Sequence, residues 1–169
     1  MKTKKLVSLA LCTAMALTIY IIEAQIPPLV AIPGIKMGLS NIVTLFALVF
    51  LISKEATIIL VLRVTLGSIF AGQALSFMYS LSGGLTCLLI EVLALKFLKS
   101  PQIWAVSVLG AITHNITQIS VAYLITQSVA VFWYIPFLLI SAIITGAFTG
   151  IIIDFINKNH RSTIEKLLR

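Results

Sequence analysis

The chain has 169 residues, of which 60% are hydrophobic, and it carries a formal net charge of +7. Ordinary soluble domains are a little under half apolar, so this composition excludes a soluble domain and predicts a protein whose solvent is lipid. The two cysteines, Cys12 and Cys87, lie inside apolar runs, without a histidine or another cysteine at metal-ligand spacing. We expect them to be packing residues, and we expect no disulfide and no bound cofactor.

The first apolar run covers residues 6–24 and follows a short basic start. Its Ala-Met-Ala segment at 14–16 resembles a signal-peptide cleavage site. Because the apolar residues continue through 17–22 and reach spanning length, we expect a retained transmembrane helix instead. Ala10 and Ala14 form a small-xxx-small pattern of the kind found where membrane helices pack closely. Gly146 and Gly150 repeat that pattern near the end of the chain.

Five further apolar runs are separated by short polar or proline-containing breaks. They predict helices over residues 38–53, 56–71, 77–98, 102–126 and 134–157. Crossing ~30 Å of hydrocarbon takes ~20 helical residues, so the second and third helices are short and should be tilted or buried, or should thin the bilayer locally. The predicted fold is all-α, an integral membrane bundle of six transmembrane helices over residues 1–157. A basic cytoplasmic tail over 158–169 follows it.

The basic residues predict the orientation of this bundle. Six spans place both termini on one side, and that side holds ten of the twelve lysine and arginine residues. The positive-inside rule therefore places both termini in the cytoplasm of a bacterium, with the bundle in its plasma membrane. Contact of these residues with anionic lipid accounts for the net charge, so nucleic acid is not an expected partner.

The segment 26–44 stands out because it gathers prolines, glycines, a lysine and an asparagine between two apolar runs. Irregular backbone at the membrane boundary is tolerated only where it lines a cavity or faces water. Each polar residue of the predicted outer half, taken alone, is an ordinary interfacial residue. Together with the proline-rich segment they predict an outward-facing pocket capped by a loop. These polar residues are Glu23, Lys36, Asn41, Gln73 and Ser76.

Arg63 lies well inside the third predicted helix. An arginine at the centre of a bilayer costs at least ~2.5 kcal/mol on insertion scales, so its side chain should face the bundle interior. Two alternatives follow. Arg63 either forms a structural ion pair, for instance with Glu91 on the fourth helix, or contacts a ligand directly.

The fifth predicted helix carries a polar stripe. His114, Gln118 and their polar neighbours recur at three- and four-residue steps, which places them on one helix face, and Asn115 lies beside that face. Amide groups need hydrogen-bond partners in lipid. The stripe therefore either lines a cavity or holds neighbouring helices together. Its members are Ser107, Gly110, His114, Thr117 and Gln118.

Motifs of autonomous catalysis are absent from the sequence. It contains no P-loop, no HExxH motif and no clustered aspartates, since Asp154 is the single aspartate of the chain. Autonomous ATP hydrolysis is excluded, and so is metal–diphosphate chemistry that needs paired aspartates. We therefore do not expect an enzyme.

Four ordered segments resemble the signature of the bacterial Gx transporter family, whose members are commonly labelled heptaprenyl diphosphate synthase component I. They are PGIKMGLSNIVT at 33–44, LRVTLGS at 62–68, SLSGG at 80–84 and GAITHNITQ at 110–118. The family in turn resembles the S components of energy-coupling factor transporters. That likeness implies a six-helix protein that binds small molecules from outside, beneath the loop between its first two helices. It also implies docking to a transmembrane coupling subunit with two ATPases, here through Ala10 and Ala14.

These observations lead to two main hypotheses. In the first, the chain is a substrate-binding subunit for uptake of a small anionic or amphipathic molecule, driven by separate coupling and ATPase subunits. In the second, it is an accessory membrane subunit of a heptaprenyl diphosphate synthase, with a soluble, aspartate-rich partner. A scaffold in a membrane assembly is a third alternative. The candidate ligand-binding residues are Lys36, Asn41, Arg63, Gln73, His114, Asn115 and Gln118.

Overall fold

The computed structural model describes residues 3–25, 36, 38–72, 74–97 and 102–168. Within these ranges every regular element is helical, which confirms the predicted all-α class. A 3₁₀ turn over Val129–Tyr134 precedes the last helix. The α-helices are α1 (Thr3–Gln25), α2 (Asn41–Phe50), α3 (Ser53–Ala71), α4 (Ala74–Phe97), α5 (Ile103–Thr126) and α6 (Ile135–Leu168).

Four helices of the described chain are long and apolar enough to cross a membrane: α1, α4, α5 and α6, the last together with its 3₁₀ turn. Their outer faces carry many exposed large apolar side chains, such as Leu11, Phe97 and Phe148, each at least 60% exposed. Such faces suit contact with lipid. α3 has 19 residues but includes Lys54, Glu55 and Arg63. The predicted six-span topology, with both termini in the cytoplasm, therefore stays a prediction.

α2 is much shorter than predicted. It has 10 residues, which rise about 15 Å, half the thickness of the hydrocarbon core. The helix cannot begin at Gly38, because that residue has a φ of +82°. It ends where Leu51 and Ile52 leave helical geometry before α3 begins. The proline-rich connector before α2 lies, at residues 26–35 and 37, outside the described residues.

α6 is longer than predicted and continues through residue 157 to Leu168. The ion pairs Lys158–Asp154 and Arg161–Glu165 join side chains one turn apart and support the polar part of the helix. Ile164 also packs beside the buried residues Phe50 and Ile103. The basic tail is thus a helical continuation of the last apolar helix, and the predicted domain boundary there stays a prediction.

Small residues permit the closest helix contacts. A Cβ atom added at Gly150 would lie 2.4 Å from the Cα of Trp104, and one at Gly146 would lie 2.7 Å from the Cα of Val108. The Gly146–Gly150 pattern therefore marks the seam at which α6 packs against the backbone of α5. On the other side of the bundle, a Cβ atom at Gly67 would lie 2.4 Å from the ring of Tyr20, where α3 packs against α1.

We expect Gly150→Leu to destabilise the protein, because the new side chain meets the α5 backbone, which cannot move aside as a flexible side chain can. Overpacking of this kind typically costs about 1–3 kcal/mol. Thermal unfolding in detergent should show a lower midpoint. The matched control is Ile151→Leu, which introduces the same side chain at the next position, where Ile151 is 59% exposed. Equal midpoints for both variants would contradict the close α5–α6 seam.

Candidate functional site

A cluster of buried and half-buried polar and charged side chains lies where the N-terminus of α2 meets α1, α3 and α5. It lies in the interior of the bundle. Its members are Tyr20 and Glu23 of α1, Lys36, Gly38 and Ser40 of the connector, Asn41 of α2, Arg63 of α3 and His114 of α5. We call this set the connector cluster.

Arg63 is the most deeply placed charge of the cluster, with 2% of its side chain exposed. Its guanidinium group donates one hydrogen bond to Ser40 Oγ and another to Asn41 Oδ1. The Arg63–Glu91 ion pair, one of the two alternatives predicted from the sequence, is not formed. Arg63 points toward the start of α2 instead, and the carboxylate of Glu91 accepts from Cys87 Sγ at 3.6 Å.

Asn41 connects Arg63 to His114, since its Nδ2 lies 3.3 Å from His114 Nδ1. His114 is 3% exposed and lies at the middle of α5. A Cβ atom on Gly38 would lie 3.4 Å from His114 Nε2, and one on Gly83 would lie 3.0 Å from His114 Nδ1. The histidine therefore fits between two glycines. His114 lies at the middle of α5, and Gly38, just before α2, lies beside it. The start of α2 is therefore halfway into the bundle.

The connector is attached to α1 through two charged side chains. Glu23 Oε1 accepts a hydrogen bond of 2.5 Å from the backbone N–H of Gly38. Lys36 Nζ lies 3.4 Å from the ring centroid of Tyr20, a cation–π distance, and the Tyr20 hydroxyl lies 3.0 Å from Ser76 Oγ. Tyr20 and Glu23 are three residues apart, so one face of α1 holds both contacts.

Three buried polar atoms of the cluster have no hydrogen-bond partner among the described residues: Lys36 Nζ, Arg63 Nε and Glu23 Oε2. In native proteins nearly all such atoms are paired with protein, water or ligand. Two of the three are cationic donors. The cluster therefore combines two positive side chains with one carboxylate, and its unused hydrogen-bonding capacity is suited to an anionic group.

The polar stripe on α5 divides between three neighbours. Asn115 Nδ2 donates to the backbone carbonyl of Leu138 on α6 at 2.7 Å. Ser107 bonds to Thr149 on α6, and Thr117 bonds to Thr86 on α4. Two of the five stripe residues, Ser107 and Thr117, thus hold helices together, as does Asn115 beside the stripe, and His114 is the stripe residue that joins the connector cluster.

The remaining predicted residues lie elsewhere. Gln118 is fully buried, and neither of its amide atoms is paired within the described ranges. Gln73 lies outside the described residues. Ala10 and Ala14 are exposed on α1, beside the exposed Leu11 and Met15, so this helix face is open for contact with lipid or with a partner.

Sequence reasoning left Ser40 and Tyr20 out of the binding residues. Ser40 directly precedes Asn41 in one of the segments that carry the family resemblance, so its position was a usable signal. Tyr20 lies one helical turn before Glu23, which already pointed to the same face of α1.

A helical bundle with spanning-length helices and a charged cluster buried inside it defines a membrane protein with an internal polar site. Within that class, the chain belongs to the family described as heptaprenyl diphosphate synthase component I, because the family model matches residues 12–156. The match confirms the family resemblance and includes every residue of the connector cluster. Comparisons with curated proteins and with solved structures find no match.

We expect Arg63 and Asn41 to be energetically coupled. Asn41→Leu leaves a buried guanidinium N–H without its acceptor, whereas Arg63→Met together with Asn41→Leu removes both partners. The double variant should therefore lose less stability than the two single losses added together, with a coupling of about 0.5–3 kcal/mol. Unfolding in detergent measures all three variants.

The control cycle pairs Arg63→Met with Asn115→Leu. It makes the same asparagine substitution at the α5–α6 seam, where Asn115 bonds to Leu138. We expect additive losses in this control. Additive losses in the Arg63–Asn41 cycle as well would show that the hydrogen bond between the two side chains contributes nothing.

Proposed function

We propose that the chain is the membrane-embedded, non-catalytic component of a heptaprenyl diphosphate synthase. In this proposal the connector cluster binds the anionic end of an amphipathic ligand, such as an allylic prenyl diphosphate. The single observation that supports the binding site best is the pair of buried cationic donors, Lys36 Nζ and Arg63 Nε, without partners among the described residues. The synthase assignment rests on the family to which the chain belongs.

The chemistry of the cluster suits a phosphate or carboxylate. Charge-assisted hydrogen bonds from lysine and arginine to such groups are about twice as strong as neutral ones. Asn41 is the first residue of α2, so the positive end of that helix's dipole adds to the favourable potential for an anion. The buried core also contains apolar residues such as Val64, next to Arg63, and Ala16, one turn before Tyr20. These side chains could contact an isoprenoid chain.

The scarcity of aspartates in this chain indicates that a partner protein carries out the catalytic step. Prenyl transfer needs divalent metal ions held by aspartates, and the single aspartate, Asp154, is paired with Lys158 one turn away. We therefore assign metal binding and bond formation to a soluble, aspartate-rich partner. The membrane component would hold or present the lipid-soluble substrate or product.

The proposed topology has six membrane-crossing helices with both termini in the cytoplasm of a bacterial plasma membrane. The basic end of α6, with exposed Lys158 and Arg161, then reaches from the membrane to the compartment in which a soluble synthase subunit acts. In this topology α2 supplies the half of the second crossing that lies nearer the cytoplasm, and Gly38, just before it, lies at the depth of His114. Irregular backbone at that depth is tolerated because it is enclosed by protein.

A second candidate function is uptake, in which the chain is the substrate-binding subunit of a transporter with separate ATPases. One specific observation favours it. The small-residue face of α1 around Ala10 and Ala14 is exposed, so a coupling subunit could pack closely there. The same cationic cluster would then bind the transported anion, and no synthase partner would be required.

Ligand binding tests the common part of both functions. The purified protein should bind farnesyl diphosphate in detergent and bind farnesol, which lacks the anionic group, at least 10-fold more weakly. Lys36→Gln should weaken binding of the diphosphate about 10- to 150-fold, because one charge-assisted hydrogen bond contributes about 1.5–3 kcal/mol. The control is Lys96→Gln, a lysine at the other end of the bundle. Equal binding of diphosphate and alcohol would overturn the anion site.

Deletion of the gene separates the two functions. If the chain is a synthase component, its loss should shorten or abolish the long-chain prenyl products, and the tagged protein should co-purify with an aspartate-rich synthase subunit. If uptake is its function, deletion should abolish accumulation of an external anion while prenyl products keep their length. Ala14→Leu would fill the open face of α1 and disrupt whichever partner packs there, whereas Met15→Leu on the same face should not.

A further inference from the structure

A second polar site lies beside the connector cluster, where α4, α5 and α6 meet the start of α2. It is a cavity of about 10 Å³, room for about one water molecule. One carboxylate, three hydroxyl groups and a thiol line it, together with the start of α2. The residues that supply these groups are Glu91, Ser107, Thr145, Thr149, Cys87 and Asn41.

Glu91 is the only acidic side chain at this cavity, and 2% of it is exposed. Among the described residues Glu91 has no ion-pair partner, and its one side-chain hydrogen bond is accepted from the Cys87 thiol at 3.6 Å. A Cβ atom on Gly110 would lie 2.7 Å from Glu91 Oε1, so the absence of a side chain there leaves room for the carboxylate. A carboxylate that lacks an ion-pair partner within a membrane bundle is costly and marks a functional position by default.

The hydroxyl groups at the cavity have already used their protons. Thr145 Oγ1 donates to Ser141 O at 2.8 Å, and Thr149 Oγ1 donates to Gly146 O at 3.1 Å. Since Thr149 has no second proton, Ser107 Oγ must be the donor in the 2.8 Å bond between their hydroxyls. All three hydroxyl protons thus have protein acceptors, and each of the three oxygens keeps at least one unused lone pair.

We propose that this cavity is a binding site for one Na⁺ ion, held by the Glu91 carboxylate and the hydroxyl oxygens of Ser107, Thr145 and Thr149. Hard cations take oxygen ligands, and a single carboxylate balances a single positive charge. The volume admits one unhydrated small ion. No group of three histidine, cysteine or acidic side chains is close enough to hold a metal ion in the described part of the chain, so a transition-metal site is not favoured.

The nearby charges are compatible with this occupant. Arg63 on α3 and Cys87 on α4 are the charged or titratable groups that act on Glu91. Arg63 donates its hydrogen bonds to Ser40 and Asn41, and Asn41 itself lines the cavity. The amide of Asn41 therefore lies between the guanidinium group and the proposed ion. α5 and α6 present hydroxyl and small side chains to the cavity. The proposal does not depend on the synthase or uptake function.

The experiment measures Na⁺ binding to the purified full-length protein in detergent. Equilibrium binding of ²²Na⁺ should be saturable with one ion per chain, and NaCl should raise the thermal unfolding midpoint relative to choline chloride at equal ionic strength. Glu91→Gln should abolish both effects, and Thr145→Val should weaken Na⁺ binding about 10-fold. The matched control is Glu55→Gln, which changes another buried glutamate that instead pairs with Lys5.

Each result decides the proposal. Saturable binding that is lost in Glu91→Gln and retained in Glu55→Gln supports the site. No saturable binding to the wild-type protein overturns it, and so does Na⁺ stabilisation of equal size in wild type and Glu91→Gln. If Glu91→Gln fails to fold, Thr145→Val keeps the carboxylate and tests the same cavity, and unchanged affinity in that variant overturns the proposed ligand set.

Discussion

The burial of Arg63 is the constraint on which the rest of the structure depends. A guanidinium group within a lipid-embedded bundle needs hydrogen-bond acceptors, and its neighbours along α3 and α4 are mainly apolar. The chain supplies the acceptors by returning into the bundle with Ser40 and Asn41. That return makes α2 a half-length helix, and it places Gly38 against His114 with a backbone conformation that favours glycine. One buried charge thus accounts for the length and the depth of the second helix.

Polar groups inside this bundle are of two kinds, and hydrogen bonding separates them. Ser107, Thr117 and Asn115 find partners on neighbouring helices, so each of them helps to hold the bundle together. Lys36 and Arg63 keep cationic donors that no described residue satisfies. A polar stripe on a membrane helix is therefore a weak signal for binding until its partners are known, whereas a buried cation with an unused donor is a strong one.

The sequence predicted the helical class, the positions of the long helices and most of the connector cluster, because hydrophobic runs and isolated charges are local features. The sequence-based predictions were wrong at the start of α2, which depends on contacts between distant parts of the chain. The start of α2 depends on Gly38 packing against α5, which periodicity does not encode. The predicted alternative of an Arg63–Glu91 ion pair joins charges on two regular helices, whereas the acceptors of Arg63 come from the start of α2 and the residue before it. The spacing of the α5 stripe was right, but α5 packs between α4 and α6, so side chains on nearly one face bond in different directions.

Asn41 connects the two polar sites. Its Oδ1 accepts from Arg63, its Nδ2 lies within hydrogen-bond distance of His114, and the residue also lines the cavity beside Glu91. An amide has one acceptor side and one donor side, so it cannot rotate without exchanging both contacts. An anion that attracts Arg63 would release Asn41 Oδ1, a good cation ligand, next to the cavity. A cation held at Glu91 would in turn favour the released position of Asn41. Because coupling free energy is reciprocal, occupation of either proposed site would then raise the affinity of the other through Asn41.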